Sequence, residues 1–221
     1  MSKEWKGNKN SAHAAIAAHN GKGKSDRQED DFYATDPKAI EALVNAPTIY
    51  GRIAWKYLEY CKDDYFIWEC AAGNGNLYNW LKEHGYNVIA SDIKFRGAQG
   101  VIEGLDFLKT YPYNKFEGAA AHPNVILTNP PYSLATEFIE HALEILPDGG
   151  LYIALMNITY LAGQERYRRV YSNGSLRELY VFSKRVECWK NNIPSRHSSI
   201  ANYAWYVFQK GYIGKPTIYW L

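Results

Sequence analysis

Asn129-Pro130-Pro131-Tyr132 is the stretch of the sequence best equipped for chemistry. Two consecutive prolines stiffen the backbone, hold it extended and remove two N–H donors. The carbonyl before each ring is left to accept. Asn129 adds an amide oxygen and Tyr132 adds a flat face. Two acceptors beside a stacking platform suit an aromatic amine, whose two protons both need partners. The competing reading is a rigid turn with a satisfied asparagine. Three acidic segments stand apart from this quartet. In Glu69-Cys70-Ala71-Ala72-Gly73-Asn74-Gly75, the small residues at Ala71, Ala72, Gly73 and Gly75 let backbone approach a ligand closely. Asp92-Ile93 follows Gly73 by 19 residues, near the spacing at which an acid accepts ribose hydroxyls. Asp106-Phe107 places an acid beside an aromatic ring, a pair suited to a purine's amino group and face. Taken alone, Asp92 reads equally well as a helix cap, and a bare Gly-x-Gly as any tight turn.

These segments matter because each ends an apolar run. Tyr65-Phe66-Ile67-Trp68 stops at Glu69, Val88-Ile89-Ala90 stops short of Asp92, and Asn124 to Thr128 stops at Asn129. Leu151 to Leu155 is a further run, preceded by the turn Pro147-Asp148-Gly149-Gly150. Between the runs lie helical patterns, one through Leu77, Trp80 and Leu81 and another through Phe138, Ile139, Ala142, Leu143 and Leu146. Near-continuous apolar strands alternating with helices specify a parallel α/β sheet covered on both faces. In such a sheet, ligands sit beyond the carboxyl ends of the strands. Two helices come first, one opened by Asp36-Pro37 with Ile40, Leu43 and Val44 on one face, the other over Tyr50 to Cys61. Tyr203 to Phe208 and Thr217 to Trp220 read as strands, with a terminal antiparallel hairpin expected between them.

The chain has 221 residues, enough for one domain. Its 47% hydrophobic and 22% charged residues fit a globular protein and exclude wholesale disorder. No apolar run is long enough to span a membrane, and the charged start, Met1-Ser2-Lys3-Glu4-Trp5-Lys6, lacks the apolar core of a secretory signal. Three cysteines, Cys61, Cys70 and Cys188, fit neither a disulfide framework nor a zinc site, and a cytoplasmic setting is expected. No metal-ligand spacing appears. The net charge of +2 conceals a division: residues 1–27 carry +4, residues 28–160 carry −9, residues 161–197 carry +5 and residues 198–221 carry +2. Basic segments flanking an acidic body suit a polyanion, although a solvated surface would look the same from charge alone. Residues 1–28 read as a flexible basic arm, and 29–221 as a single domain in which 160–200 is a short basic insertion.

Read together, these residues resemble the S-adenosylmethionine-dependent amino-methyltransferases, and most of all the DNA adenine-N6 methyltransferases. The resemblance runs from about residue 30 to 156. The segment Tyr33-Ala34-Thr35-Asp36-Pro37 resembles one of the type Tyr-x-Thr-x-Pro that precedes the first helix in that family, and Asn-Pro-Pro-Tyr is intact. Asp30-Asp31-Phe32 followed by that segment is similar to small bacteriophage and mobile-element enzymes. The chain departs from the family in having Cys70 where proline is common, and in leaving only about 65 residues for target recognition.

The resemblance implies a Rossmann-like methyltransferase fold with S-adenosylmethionine as cofactor. It implies Tyr33, Thr35, Glu69, Ala71, Gly73, Gly75, Asp92, Ile93, Asp106, Phe107 and Asn129 as cofactor contacts, and Asn129, Pro130, Pro131 and Tyr132 as the catalytic loop. The expected reaction is direct methyl transfer to the N6 of an adenine in double- or single-stranded DNA, rotated out of its stack, with short or relaxed specificity. Arg166, Arg168, Arg169, Lys184, Arg185, Arg196 and His197 are the expected phosphate contacts. The setting implied is the cytoplasm of a bacterium or phage-infected cell; the oligomeric state is left open. The rivals are RNA adenine-N6 or protein glutamine-N5 methylation, or a non-catalytic nucleic-acid-binding module on the same fold.

Overall fold

The apolar runs become neighbouring strands of one sheet. The computed structural model describes residues 34–45, 52–112, 122–184, 186, 188–189 and 202–221. The expected arm, 1–28, lies outside the described residues. Strands β2 (Ile67–Glu69), β3 (Val88–Asp92), β4 (Val101–Glu103), β5 (Val125–Thr128), β6 (Leu151–Asn157), β7 (Leu176–Val181), β9 (Tyr203–Gln209) and β10 (Thr217–Trp220) form an eight-stranded sheet in the order β10-β7-β9-β6-β5-β2-β3-β4. Only β9 runs against its neighbours, β6 and β7; all the other pairings are parallel. From β2 the chain winds to one side through β3 and β4, then restarts on the other side at β5. The reversal lies between β2 and β5, and a crevice opens at their carboxyl ends.

Alternation along the strands feeds two cores. Leu151, Ile153 and Leu155 of β6 face the layer built by helices α1 (Lys38–Val44), α2 (Ile53–Tyr60) and α3 (Asn76–Glu83). Tyr152, Ala154 and Met156 face the opposite layer with Phe138, Ile139 and Ala142 of α4 (Ala135–Ile145). The mixed α/β architecture is the one the apolar runs specify. Asp36 opens α1 as expected, its Oδ1 accepting the Lys38 N–H at 3.0 Å.

The terminal strands pair differently from expectation. β9 is buried along its whole length and so requires partners on both edges. β6 and β7 fill them, and β10 lies outside β7, parallel to it, with Tyr219 stacked on Tyr180 at 5.1 Å. The terminal antiparallel pair is therefore β7 with β9, not β9 with β10. A separate two-stranded ribbon joins β1 (Ala34–Thr35) to β8 (Cys188–Trp189), with Thr35 opposite Cys188.

Candidate active site

β2 delivers Glu69 to the crevice and then turns tightly. The turn is strapped to β3: the Ala72 N–H donates to Ser91 O at 3.0 Å, and the Gly73 N–H to Asp92 Oδ2 at 2.7 Å. Gly75 has φ of +81° and begins α3. A Cβ there would stand 2.8 Å from the Ala98 Cβ, so both the backbone and the space require glycine. Asp92 Oδ1 accepts the Lys94 N–H at 2.9 Å. Each Asp92 oxygen thus holds a backbone donor and keeps a second lone pair.

β5 delivers Asn129. Its Nδ2 donates to the Thr35 hydroxyl at 2.9 Å, while Asn76 at the start of α3 donates to the Thr35 carbonyl at 2.9 Å. Thr35 is only 5% exposed. The catalytic-loop candidate, the strand before α1 and the helix after the glycine turn therefore meet at one residue. The polyproline segment ends in a single 3₁₀ turn, Tyr132–Leu134, from which α4 departs.

These elements enclose a cleft that is partly open to solvent. Thr35, Glu69, Ala71, Asp92, Ile93, Asp106, Phe107, Asn129 and Pro131 all line it. Gly73 and Gly75 shape the turn without lining the cleft. Pro130 is buried and does not line it. Tyr132 is half-buried, its ring 6.1 Å from that of Tyr203. Tyr33, Arg185, Arg196 and His197 lie outside the described residues.

Glu69 is the electrostatic centre of the cleft. It is 2% exposed, and its Oε2 has no hydrogen-bond partner among the described residues. Burial, and then the neighbouring Asp92 charge, push its carboxyl well above the usual carboxylate range, against a hydrogen bond from the Tyr78 backbone. A buried acid with an unused oxygen lining a cleft suits a cationic group.

Two groups of expected contacts have partners within the fold. Phe107 does not offer a free face. It is 2% exposed, wedged against Trp68 at 5.2 Å, Phe138 at 4.7 Å and His141 at 5.0 Å. It forms cleft wall, and Leu108 lines the cleft beside it. Asp106 caps its own turn by accepting the Leu108 N–H at 3.1 Å, and pairs with Lys109 at 2.9 Å. The second group is the arginines. Arg169 bridges Glu137 and Glu140 of α4. Arg166 donates to the Tyr160 and Ala162 carbonyls and stacks over the Tyr160 ring at 4.6 Å. Both spend donors on their own fold. Arg168 is exposed, with a 3.4 Å contact to Glu165, and Lys184 is exposed.

Sequence reasoning missed Asn76 and Arg96 in the cleft. Arg96 carries a signal in retrospect, a cation four residues past Asp92 in the most acidic part of the chain. Asn76 carries none, because its partner is 41 residues away. Among the described residues no cluster of three or more His, Cys, Asp or Glu could hold a metal, and no helix is long and apolar enough to cross a membrane.

No protein-family model matches the chain, and no curated protein matches it. Solved structures do. A Listeria monocytogenes protein described as a class I S-adenosylmethionine-dependent methyltransferase superposes with a TM-score of 0.54 at 12% identity, covering 96% of this chain and 71% of that one. The type IIG restriction endonuclease BpuSI superposes at 0.53 and 17% identity, over 89% of this chain and 27% of its own. A Lactococcus lactis protein described as a hemolysin superposes at 0.51 and 13% identity, over 75% and 88%. At these identities the shared property is architecture, and the strand order, the crevice and the superpositions agree on it: the chain has the fold of the class I S-adenosylmethionine-dependent methyltransferases.

Proposed function

We propose that the protein transfers a methyl group from S-adenosylmethionine to the exocyclic N6 of adenine in DNA. The observation that carries this reading is the placement of Asn129, at the switch point of the sheet, in one cleft with Glu69 and Asp92. The cleft fits the cofactor on two counts: the small-residue turn over which a ligand can approach, and the Glu69 carboxyl with an unused oxygen. When bound, S-adenosylmethionine supplies an electrophilic methyl group on a sulfonium. Asp92 accepts ribose hydroxyls on its remaining lone pairs, and Ile93, 58% exposed on the cleft wall, offers an apolar surface to the adenine ring.

The chain's own contribution to transfer is positioning. The Asn129 amide oxygen and the Pro130 carbonyl accept the two amino protons of the target base. Accepting both withdraws the nitrogen lone pair from ring conjugation and aims it into the cleft. Tyr132 stacks on the base. Support for a nucleic-acid substrate comes from topology. β7 ends at Val181 and β9 begins at Tyr203, both at the carboxyl-end face of the sheet, where Tyr203 pairs with Asn157. The connection of 182–202 leaves and rejoins the fold on the face that carries Asn129. It contains Lys184, Arg185, Lys190, Arg196 and His197.

The test is incubation with radiolabelled cofactor and separate DNA, RNA and protein acceptors, followed by nucleoside analysis. N6-methyldeoxyadenosine is the expected product. Label confined to RNA, or to glutamine amides, would replace the DNA reading with one of those. Asn129→Ala and Tyr132→Ala are expected to lose most transfer, by roughly a hundredfold or more, with the cofactor still binding in calorimetry.

A further inference from the structure

Thr35 occupies an unusual place for a residue outside the catalytic loop. It lies in β1, where the β8 pairing fixes it from one side and α1 from the other, beginning three residues on. α1 is itself anchored, its Ala39 carbonyl accepting the buried Trp205 indole N–H at 2.9 Å. The Thr35 carbonyl holds Asn76 and its hydroxyl holds Asn129. The torsion that turns an asparagine amide is broad and roughly two-fold, so packing alone does not choose its plane. A hydrogen bond at Nδ2 does, and it turns the amide oxygen away from the bonded side.

We infer that Thr35 is a positioning residue: its hydroxyl sets the plane of the Asn129 amide so that the oxygen, not the NH2 group, meets the amino group to be methylated. This rests on the reading of Asn129 as the acceptor of that amino group. An amide turned the other way would set donor against donor. The assignment differs from a plain cofactor contact at Thr35, because the cost of losing it falls on transfer and not on cofactor affinity. It also gives the β1–β8 ribbon a purpose beyond packing. The basic connection contributes β8, and β8 is the partner strand of the residue that orients the amide.

The experiment compares Thr35→Val, which keeps the shape and removes the hydroxyl, with Thr35→Ser, which keeps the hydroxyl. Thr35→Val is expected to lower kcat roughly tenfold to a hundredfold with the cofactor dissociation constant unchanged, and Thr35→Ser to restore most of the rate. A second readout needs no turnover. In the protein without cofactor, the Asn129 side-chain amide signal in ¹⁵N NMR, identified by its loss in Asn129→Ala, is expected to shift in Thr35→Val and hold in Thr35→Ser. Thr35→Ala takes the place of Thr35→Val should valine lower the melting temperature. A loss confined to cofactor affinity, equal losses in valine and serine variants, or an unmoved amide signal overturns the role of Thr35. The two readings separate cleanly: if Asn129→Ala transfers as fast as the native chain, the reading of Asn129 falls; if it is inactive while Thr35→Val is fast, only Thr35 falls.

Discussion

Glu69 ties folding stability to pH. Its carboxyl, held above the ordinary range by burial and by Asp92, binds a proton in the folded chain that it would release at the same pH in the unfolded one. Stability therefore falls as pH climbs from about 4.3, the ordinary glutamate value, to the raised value, and is level beyond it. Glu69→Gln removes the titration. Thermal melts without ligand, from about pH 5 to about pH 8, should show a flatter profile and a higher melting temperature at neutral pH for the variant, together with weaker cofactor binding; superimposable profiles would mean that Glu69 does not titrate there. Asp92 serves the fold by hydrogen bonding, its two oxygens holding the Gly73 and Lys94 N–H groups. Asp92→Ala should cost about 1–3 kcal/mol of stability, as expected when buried donors lose their acceptor, and weaken the cofactor about tenfold, equivalent to some 1.4 kcal/mol. Urea unfolding and calorimetry measure the two. Both acids were legible in the sequence, because an acid that ends an apolar run faces the ligand side of a parallel sheet. The surroundings of Phe107 were not, since Trp68 reaches it from β2 and Phe138 and His141 from α4.

The glycine turn is the element with the least tolerance. Gly75→Ala would force a left-handed conformation costing roughly 1–2 kcal/mol and drive a methyl into the Ala98 Cβ. A lower melting temperature with a weakened cofactor is expected, the second because the same turn carries the Gly73 N–H to Asp92. The parallel strands were readable because their apolar runs are unbroken. β7 was not, because Arg177 and Glu178 interrupt it. Glu178 is nonetheless 2% exposed: its oxygens accept the Ile53 and Ala54 N–H groups at 2.7 and 3.1 Å, capping α2 from more than a hundred residues away. A charge that serves as a remote helix cap reads as surface in the sequence. β4, three residues and mostly exposed, leaves too short a trace to read. The same principle explains Arg166 and Arg169, whose partners on Tyr160, Ala162 and α4 come from tertiary structure. Replacing the pair by alanine should lower the melting temperature and leave the salt dependence of DNA binding intact.

Across the whole molecule, charge and topology point the same way. The acidic body holds the cleft, and the basic connection between β7 and β9 begins and ends at the carboxyl-end side of the sheet. Affinity for duplex DNA should fall by about 0.9 log unit per log unit of salt for each phosphate contacted. Lys184→Ala with Arg185→Ala should make that slope shallower and lower affinity on every sequence alike, in titrations at several salt concentrations; a loss at one base position would mean that one of these cations reads a base edge. The pairing of Val181 with Ala204 has a consequence for how such a protein can change. Both ends of the connection are pinned by an interior strand pair, so the sheet does not depend on what lies between them. Each doubling of a loop's length costs only about 0.6 kcal/mol in closure entropy. New sequence of almost any size can be inserted there on either side of β8, on the end of the sheet that carries Asn129, and a lineage can exchange its targets while the β1–β8 pairing is kept.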